Sequence, residues 1–118
     1  MAESRHRASF SRIITADCFW MPDQHVSLVK TITQALDYSS SARVLVVAGL
    51  HTGRSVVSNF FRVAASENLI PDDEDIIEHN VTTQKTRPWR AERIGEDLVE
   101  RKQWLVVAQL RWSNSVLS

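Results

Sequence analysis

The stretch Arg43-Val44-Leu45-Val46-Val47-Ala48-Gly49-Leu50 is a continuous apolar run of strand length, rich in β-branched residues. A polar segment precedes it and a glycine-bearing turn follows. A strand that is apolar at successive positions is expected to be covered on both faces, as at the centre of a parallel sheet flanked by helices. The segments around it alternate strand, helix, strand, helix, strand, strand, the rhythm of a doubly wound α/β domain.

Working back from this run, Arg12-Ile13-Ile14-Thr15-Ala16 predicts a short buried strand, and Asp17-Cys18-Phe19-Trp20-Met21 follows where it ends. Pro22 fits the first turn of a helix, where its missing N–H is not needed. Asp23 suits the positive end of the helix dipole. Val26, Val29, Ile32 and Leu36 give that helix one apolar face, and Ser39-Ser40-Ser41 ends it. Residues 1–9 are polar and read as a disordered tail, which leaves 10–118 as one domain.

Forward of the run, Thr52 or Ser55 is expected to cap a second helix. Val56, Val57, Phe60, Phe61, Ala64 and Ala65 form its apolar stripe, ended by Asn68 and Pro71. Residues 76–81 predict a strand. Residues 82–101 are polar and predict a long connection, helical in part near 94–99. Residues 104–111 predict the last strand, antiparallel to its neighbour at one edge of the sheet, since no strongly periodic helix separates the two.

Composition narrows the function classes. A chain of 118 residues is one domain at most. Its 14 basic and 14 acidic residues balance, so no overall field draws it to nucleic acid or an anionic membrane. No apolar run approaches the roughly 18 residues that span a bilayer. One cysteine makes no internal disulfide, which fits a reducing, cytoplasmic setting. His6, His25, His51 and His79 are scattered, with no Cys/His spacing for zinc. No lysine and Ser/Thr pair follows Gly49 and Gly53, so their turn is not a phosphate loop.

Ligands of open parallel sheets sit beyond the carboxyl ends of the strands. Here those ends are residues 16–20 and 49–53, expected on one rim. Asp17 either accepts hydrogen bonds from a bound amine or hydroxyl, or caps the following helix. Trp20 either offers a flat face to an aromatic or cationic group, or covers the helix base. Trp89, beside Arg87 and Arg90, is either a lid or a pin for the long connection. Cys18 lacks an evident base and reads as an inert thiol.

Three stretches together resemble a known family. Phe10-Ser11-Arg12-Ile13-Ile14-Thr15-Ala16-Asp17-Cys18-Phe19-Trp20-Met21 resembles the fourth strand and following loop of seven-strand methyltransferases that use S-adenosylmethionine. The group most similar is the fungal nicotinamide N-methyltransferase-like proteins, related to lysine and N-terminal methyltransferases of translation elongation factor 1A. Val46-Val47-Ala48-Gly49-Leu50-His51-Thr52-Gly53-Arg54 resembles the fifth strand and turn. Gly95-Glu96-Asp97, Val99-Glu100-Arg101-Lys102 and Trp104-Leu105-Val106-Val107-Ala108 resemble the approach to the final strand. The likeness covers residues 10–112.

The resemblance implies a partial Rossmann-like α/β fold: the C-terminal half, strands four to seven, with two flanking helices and the last strands antiparallel. It implies an N-methyltransferase acting on a protein lysine or N-terminus, as in an elongation factor, or on a small pyridine. The family's Asp-x-x-Tyr or Asp-x-x-Phe pattern falls on Asp17 and Trp20, with Trp as the aromatic, and Ala16 and Asp17 would adjoin the cofactor. The family's glycine-rich cofactor turn has no counterpart, since the only glycines are Gly49, Gly53 and Gly95. A truncated enzyme, inactive in isolation, is therefore expected. The alternative is a non-enzymatic interaction module that pairs through the exposed edge of the strand at Ile13.

Overall fold

The first strand, β1 (Arg12–Ala16), and the apolar run, β2 (Arg43–Gly49), are neighbours and run parallel, Ile14 beside Leu45 and Ala16 beside Val47. The computed structural model describes residues 10–16, 22–50, 53–72 and 76–117. The 1–9 tail lies outside them, as do Asp17, Cys18, Phe19, Trp20, Met21, His51 and Thr52.

Between the two strands a 3-10 turn (Pro22–Gln24) leads into α1 (His25–Ala35). Its buried face is His25, Val29, Ile32 and, just past its end, Leu36. This corrects the apolar face read from Val26, which is half-exposed; the seam starts one residue earlier, on a histidine. After β2 comes α2 (Arg54–Ser66), which buries Val57, Phe60 and Ala64. Its N-cap is Gly53 at φ +107°, a left-handed position that glycine adopts without a Cβ clash. Ser55, read as a possible cap, lies within the helix, and Thr52 lies outside the described residues.

The remaining strands are β3 (Leu69–Pro71), β4 (Ile77–Asn80), β5 (Thr86–Pro88) and β6 (Trp104–Trp112). Short helical turns α3 (Leu98–Arg101) and α4 (Asn114–Leu117) flank β6. The six-stranded mixed sheet has the order β1-β2-β6-β4-β5, with β3 also on β6. β6 runs antiparallel to β2 on one side, and to β3 and β4 on the other. The last strand is therefore antiparallel as expected but interior, where the sequence suggested an edge. The register lays β3 along residues 110–112 of β6 and β4 along 104–107, so the two lie end to end.

One core forms between α1, α2 and a single sheet face carrying Val44, Val46, Ala48, Val106, Ala108, Leu110 and Trp112. The other face carries Ile14, Leu45, Val47, Leu105 and Val107. There Ile14 is 71% exposed and the rest are half-buried. The doubly wound expectation is thus corrected: both long helices cover the same face of the sheet. An apolar run at successive positions reports two apolar faces, not two covered ones.

Candidate functional site

The register fixes which chain ends meet. Ala16 is level with Val47, Val107 and Ile77, and Gly49 with Leu105 and His79. The carboxyl ends of β1, β2 and β4 and the start of β6 therefore share one rim. Ala16 ends β1 on the open face and is exposed. Its neighbour Thr15 is buried, and the Thr15 hydroxyl has no hydrogen-bond partner. Asp17 and Trp20, the residues read as catalytic, lie outside the described residues.

What the described residues bring together on this rim is a charge network that the sequence did not reveal. Glu78, in the middle of β4, is fully buried. Its carboxylate accepts from Arg54 Nη1 at 2.5 Å and Nη2 at 3.0 Å, a two-pronged clasp. It also accepts from Arg87 Nε at 2.8 Å, Arg93 Nε at 3.2 Å and the Arg90 backbone N–H at 3.1 Å. Arg54, the first residue of α2, is buried too and donates to both oxygens of Glu96 at 2.8 and 2.6 Å and to the Arg90 carbonyl at 2.9 Å. Gly95, at φ +82°, makes the turn just before Glu96. Arg87 lies 3.7 Å over the Trp104 ring, and Arg54 lies 5.6 Å from the Trp89 ring.

Burial raises the Glu78 carboxyl, but the Arg54, Arg90 and Arg87 hydrogen bonds outweigh it and leave the pKa below 4.5. The Arg54 hydrogen bond is the main cause that lowers Glu96, against a smaller upward push from burial. Burial works against the charge of Arg54, yet the two carboxylates win and hold it more firmly protonated than a free guanidinium. A depressed folded-state carboxyl contributes stability above its unfolded pKa and loses it as pH falls through the folded value. The network's contribution to stability should therefore be level from neutral pH down to about 4.5 and then fall as acid is added. A urea titration at stepped pH checks this, and Glu96→Gln should make the acid-side decline shallower.

The network clamps residues 82–101 onto the sheet. Trp89 settles as a pin: it is half-buried, with its ring 6.1 Å from that of Phe61 on α2. Above the clamp lies a cleft of about 510 Å3 lined by Arg87, Arg90, Glu92, Arg93, Glu96 and Glu100. Ile94, Leu98 and Val99 stand exposed on the same segment.

A second polar contact, between buried His25 and half-buried Asn59, joins the two helices near this rim. Asn59 Oδ1 accepts from Arg62 at 2.5 Å, which turns its Nδ2 toward His25 Nδ1 at 2.7 Å. That orientation makes Nδ1 the acceptor and assigns the ring proton to Nε2. The His25 ring meets Phe60 edge-on at 5.7 Å.

The missed signals were present in the sequence. In Ile77-Glu78-His79-Asn80-Val81 the polar alternates Glu78 and Asn80 are buried, while Ile77 and Val81 are exposed. His25 lies four and seven residues before Val29 and Ile32, in register with the apolar seam of α1. A polar residue in a core position means either a satisfied partner network or a site. Here all three residues have partners.

A scan against protein-family models finds no match to the chain, and a search of curated proteins finds none either.

Proposed function

We propose that this chain is the C-terminal half of an S-adenosylmethionine-dependent N-methyltransferase fold, Rossmann-like in its sheet, and carries the substrate side of that site. The observation that carries the reading is the rim. The strands that the resemblance assigns to positions four and five are parallel neighbours, and the chain leaves both at the same end of the sheet. The strand assigned to the end of the family sheet runs reversed beside them. Asp17 and Trp20 then follow directly from the exposed end of β1.

In this reading Asp17 accepts a hydrogen bond from the substrate amine and sets its direction. Trp20 supplies a flat wall. Their contribution is position, which turns an encounter into an aligned contact. The substrate class is a protein lysine or N-terminus, an elongation factor being the resemblance's example, or a small pyridine.

The described residues do not by themselves fit the cofactor. The three glycines serve a strand end, a helix cap and a loop turn, and none stands in a glycine-rich cradle. The chain is therefore expected to bind S-adenosylhomocysteine weakly or not at all. Isothermal titration of the folded, monodisperse protein checks it. A stoichiometric, micromolar dissociation constant would overturn the half-site reading, because this chain would then complete a cofactor site unaided.

One observation favours a second reading, a non-enzymatic interaction module. Among the described residues β1 is the terminal strand of the sheet order, and Ile14 at its centre is 71% exposed. An open apolar strand edge is a template for pairing with another chain.

A further inference from the structure

We propose that the cleft above the clamp binds a free α-amino acid with an apolar side chain, its carboxylate on Arg90 and its ammonium toward Glu92 and Glu100. Asp17 and Trp20, which carry the methyl-transfer reading, take no part, so the two stand or fall separately.

The cationic wall of the cleft is fixed by the buried network beneath it. Arg87 donates through Nε to Glu78 at 2.8 Å and through Nη2 to Glu96 at 3.3 Å, with its guanidinium laid over the Trp104 ring. Arg93 donates through Nε to Glu78 at 3.2 Å and through Nη2 to the Pro88 carbonyl at 2.5 Å. A guanidinium has five N–H donors in a rigid fork, and neither Nη1 makes a hydrogen bond among the described residues. Arg90 is anchored by its main chain alone. Its N–H donates to Glu78 at 3.1 Å, and its carbonyl accepts from Arg54 at 2.9 Å. Among the described residues the Arg90 guanidinium makes no hydrogen bond or ion pair. The base of this side chain is thus held against the core while all five of its donors stay free.

The carboxylates of the cleft divide in the same way. Glu96 is taken: both its oxygens accept from Arg54, and one of them also from Arg87. Glu92 and Glu100 line the cleft too, and among the described residues their carboxylates have no partner. Free charges of both signs therefore face one cleft, and no ion pair closes between Arg90 and either glutamate. A simple anion would be attracted by Arg90 and repelled by the two glutamates; a simple cation would meet the reverse. A zwitterion satisfies both, and an α-amino acid carries both charges on one carbon. Its carboxylate suits the planar guanidinium fork, which accepts it on two parallel bonds. The apolar side chain has a surface to cover: Ile94 lines the cleft fully exposed, and Leu98 and Val99 stand exposed four and five residues on. The volume, about 510 Å3, lies within the roughly 300–1,000 Å3 of small-molecule sites.

The test is a titration of the full chain with L-leucine, followed by amide chemical shifts. Leucine is expected to shift the amides of residues 87–100 saturably, with a dissociation constant of about 1 mM or tighter. Its two halves are the controls: 4-methylpentanoate lacks the ammonium, and 3-methylbutylamine lacks the carboxylate. Each is expected to bind about tenfold or more weakly than leucine, the loss for one charge-assisted contact. Arg90→Ala should weaken leucine by a similar factor and leave the circular dichroism spectrum and the urea midpoint unchanged, because that side chain holds nothing in the fold. Glu92→Gln with Glu100→Gln should remove the advantage of leucine over 4-methylpentanoate. Absence of a saturable shift with leucine overturns the proposal, as does leucine binding indifferent to Arg90→Ala. If 4-methylpentanoate binds wild type as well as leucine does, the cleft is a plain anion site and the zwitterion assignment is wrong.

Discussion

Replacing Glu78 with alanine is expected to lower the unfolding free energy by about 3–5 kcal/mol, the range for breaking a buried ion pair by removing one partner. Glu78 is fully buried and receives three guanidinium groups and one backbone N–H. Without it, Arg54 keeps Glu96 and the Arg90 carbonyl, but the pair of donors it aimed at Glu78 loses its carboxylate in a buried position, beside the Arg87 and Arg93 guanidinium groups that shared it. Arg87 and Arg93 are one-fifth to one-quarter exposed and can swing to water, so they add less. The desolvated charge of Arg54 dominates. Small domains hold about 5–15 kcal/mol in all, so the loss is a large share of the total. Urea unfolding reads it as a lower midpoint with an unchanged slope. Glu78→Gln should fall nearly as far, since it keeps the shape and removes the charge. A loss under about 1 kcal/mol would give the network the weight of a surface salt bridge and remove its role as the clamp on residues 82–101.

The parts of the fold legible in the sequence are those whose reason is local. β1, β2, β6 and the stripe of α2 follow from runs and periods that any packing would respect. The 80–86 turn was not legible, because it is built without glycine or proline. Asn80 Oδ1 accepts from the Thr82 and Thr83 N–H groups at 2.8 and 2.9 Å, and Gln84 takes φ +63°. β5 was missed with it. β3 was missed because its three residues pair only with β6, some forty positions onward. The covering of β2 was misjudged because the sequence gives side-chain character and not the side on which a helix returns. Of the candidate site, the rim itself was foreseen from the strand ends. The Arg54–Glu78–Glu96 network was not, since its members stand 24 and 42 residues apart, on a helix, a strand and a loop that only the tertiary fold brings together.

Phe60→Ala is expected to lower stability by about 3–5 kcal/mol, the range for deleting a buried phenylalanine ring. The site allows little relief. Phe60 is fully buried on α2, between the edge of the His25 ring and Phe61 at 5.9 Å. Both long helices lie on one sheet face, so this contact is part of the only helix-to-sheet layer among the described residues. Collapse into the cavity would carry α1 toward α2 and pull His25 Nδ1 off Asn59, leaving a buried polar atom unpaired. A rigid cavity keeps that bond and forfeits the packing. The two responses differ in hydrogen exchange: collapse should loosen the first turn of α1, and a rigid cavity should lower protection across the whole sheet evenly. Phe60→Leu, which keeps most of the volume, should recover more than half of the loss. If Phe60→Ala instead costs under about 1 kcal/mol, the α1–α2 seam is not packed as described, and the placing of α1 over the sheet must be revised.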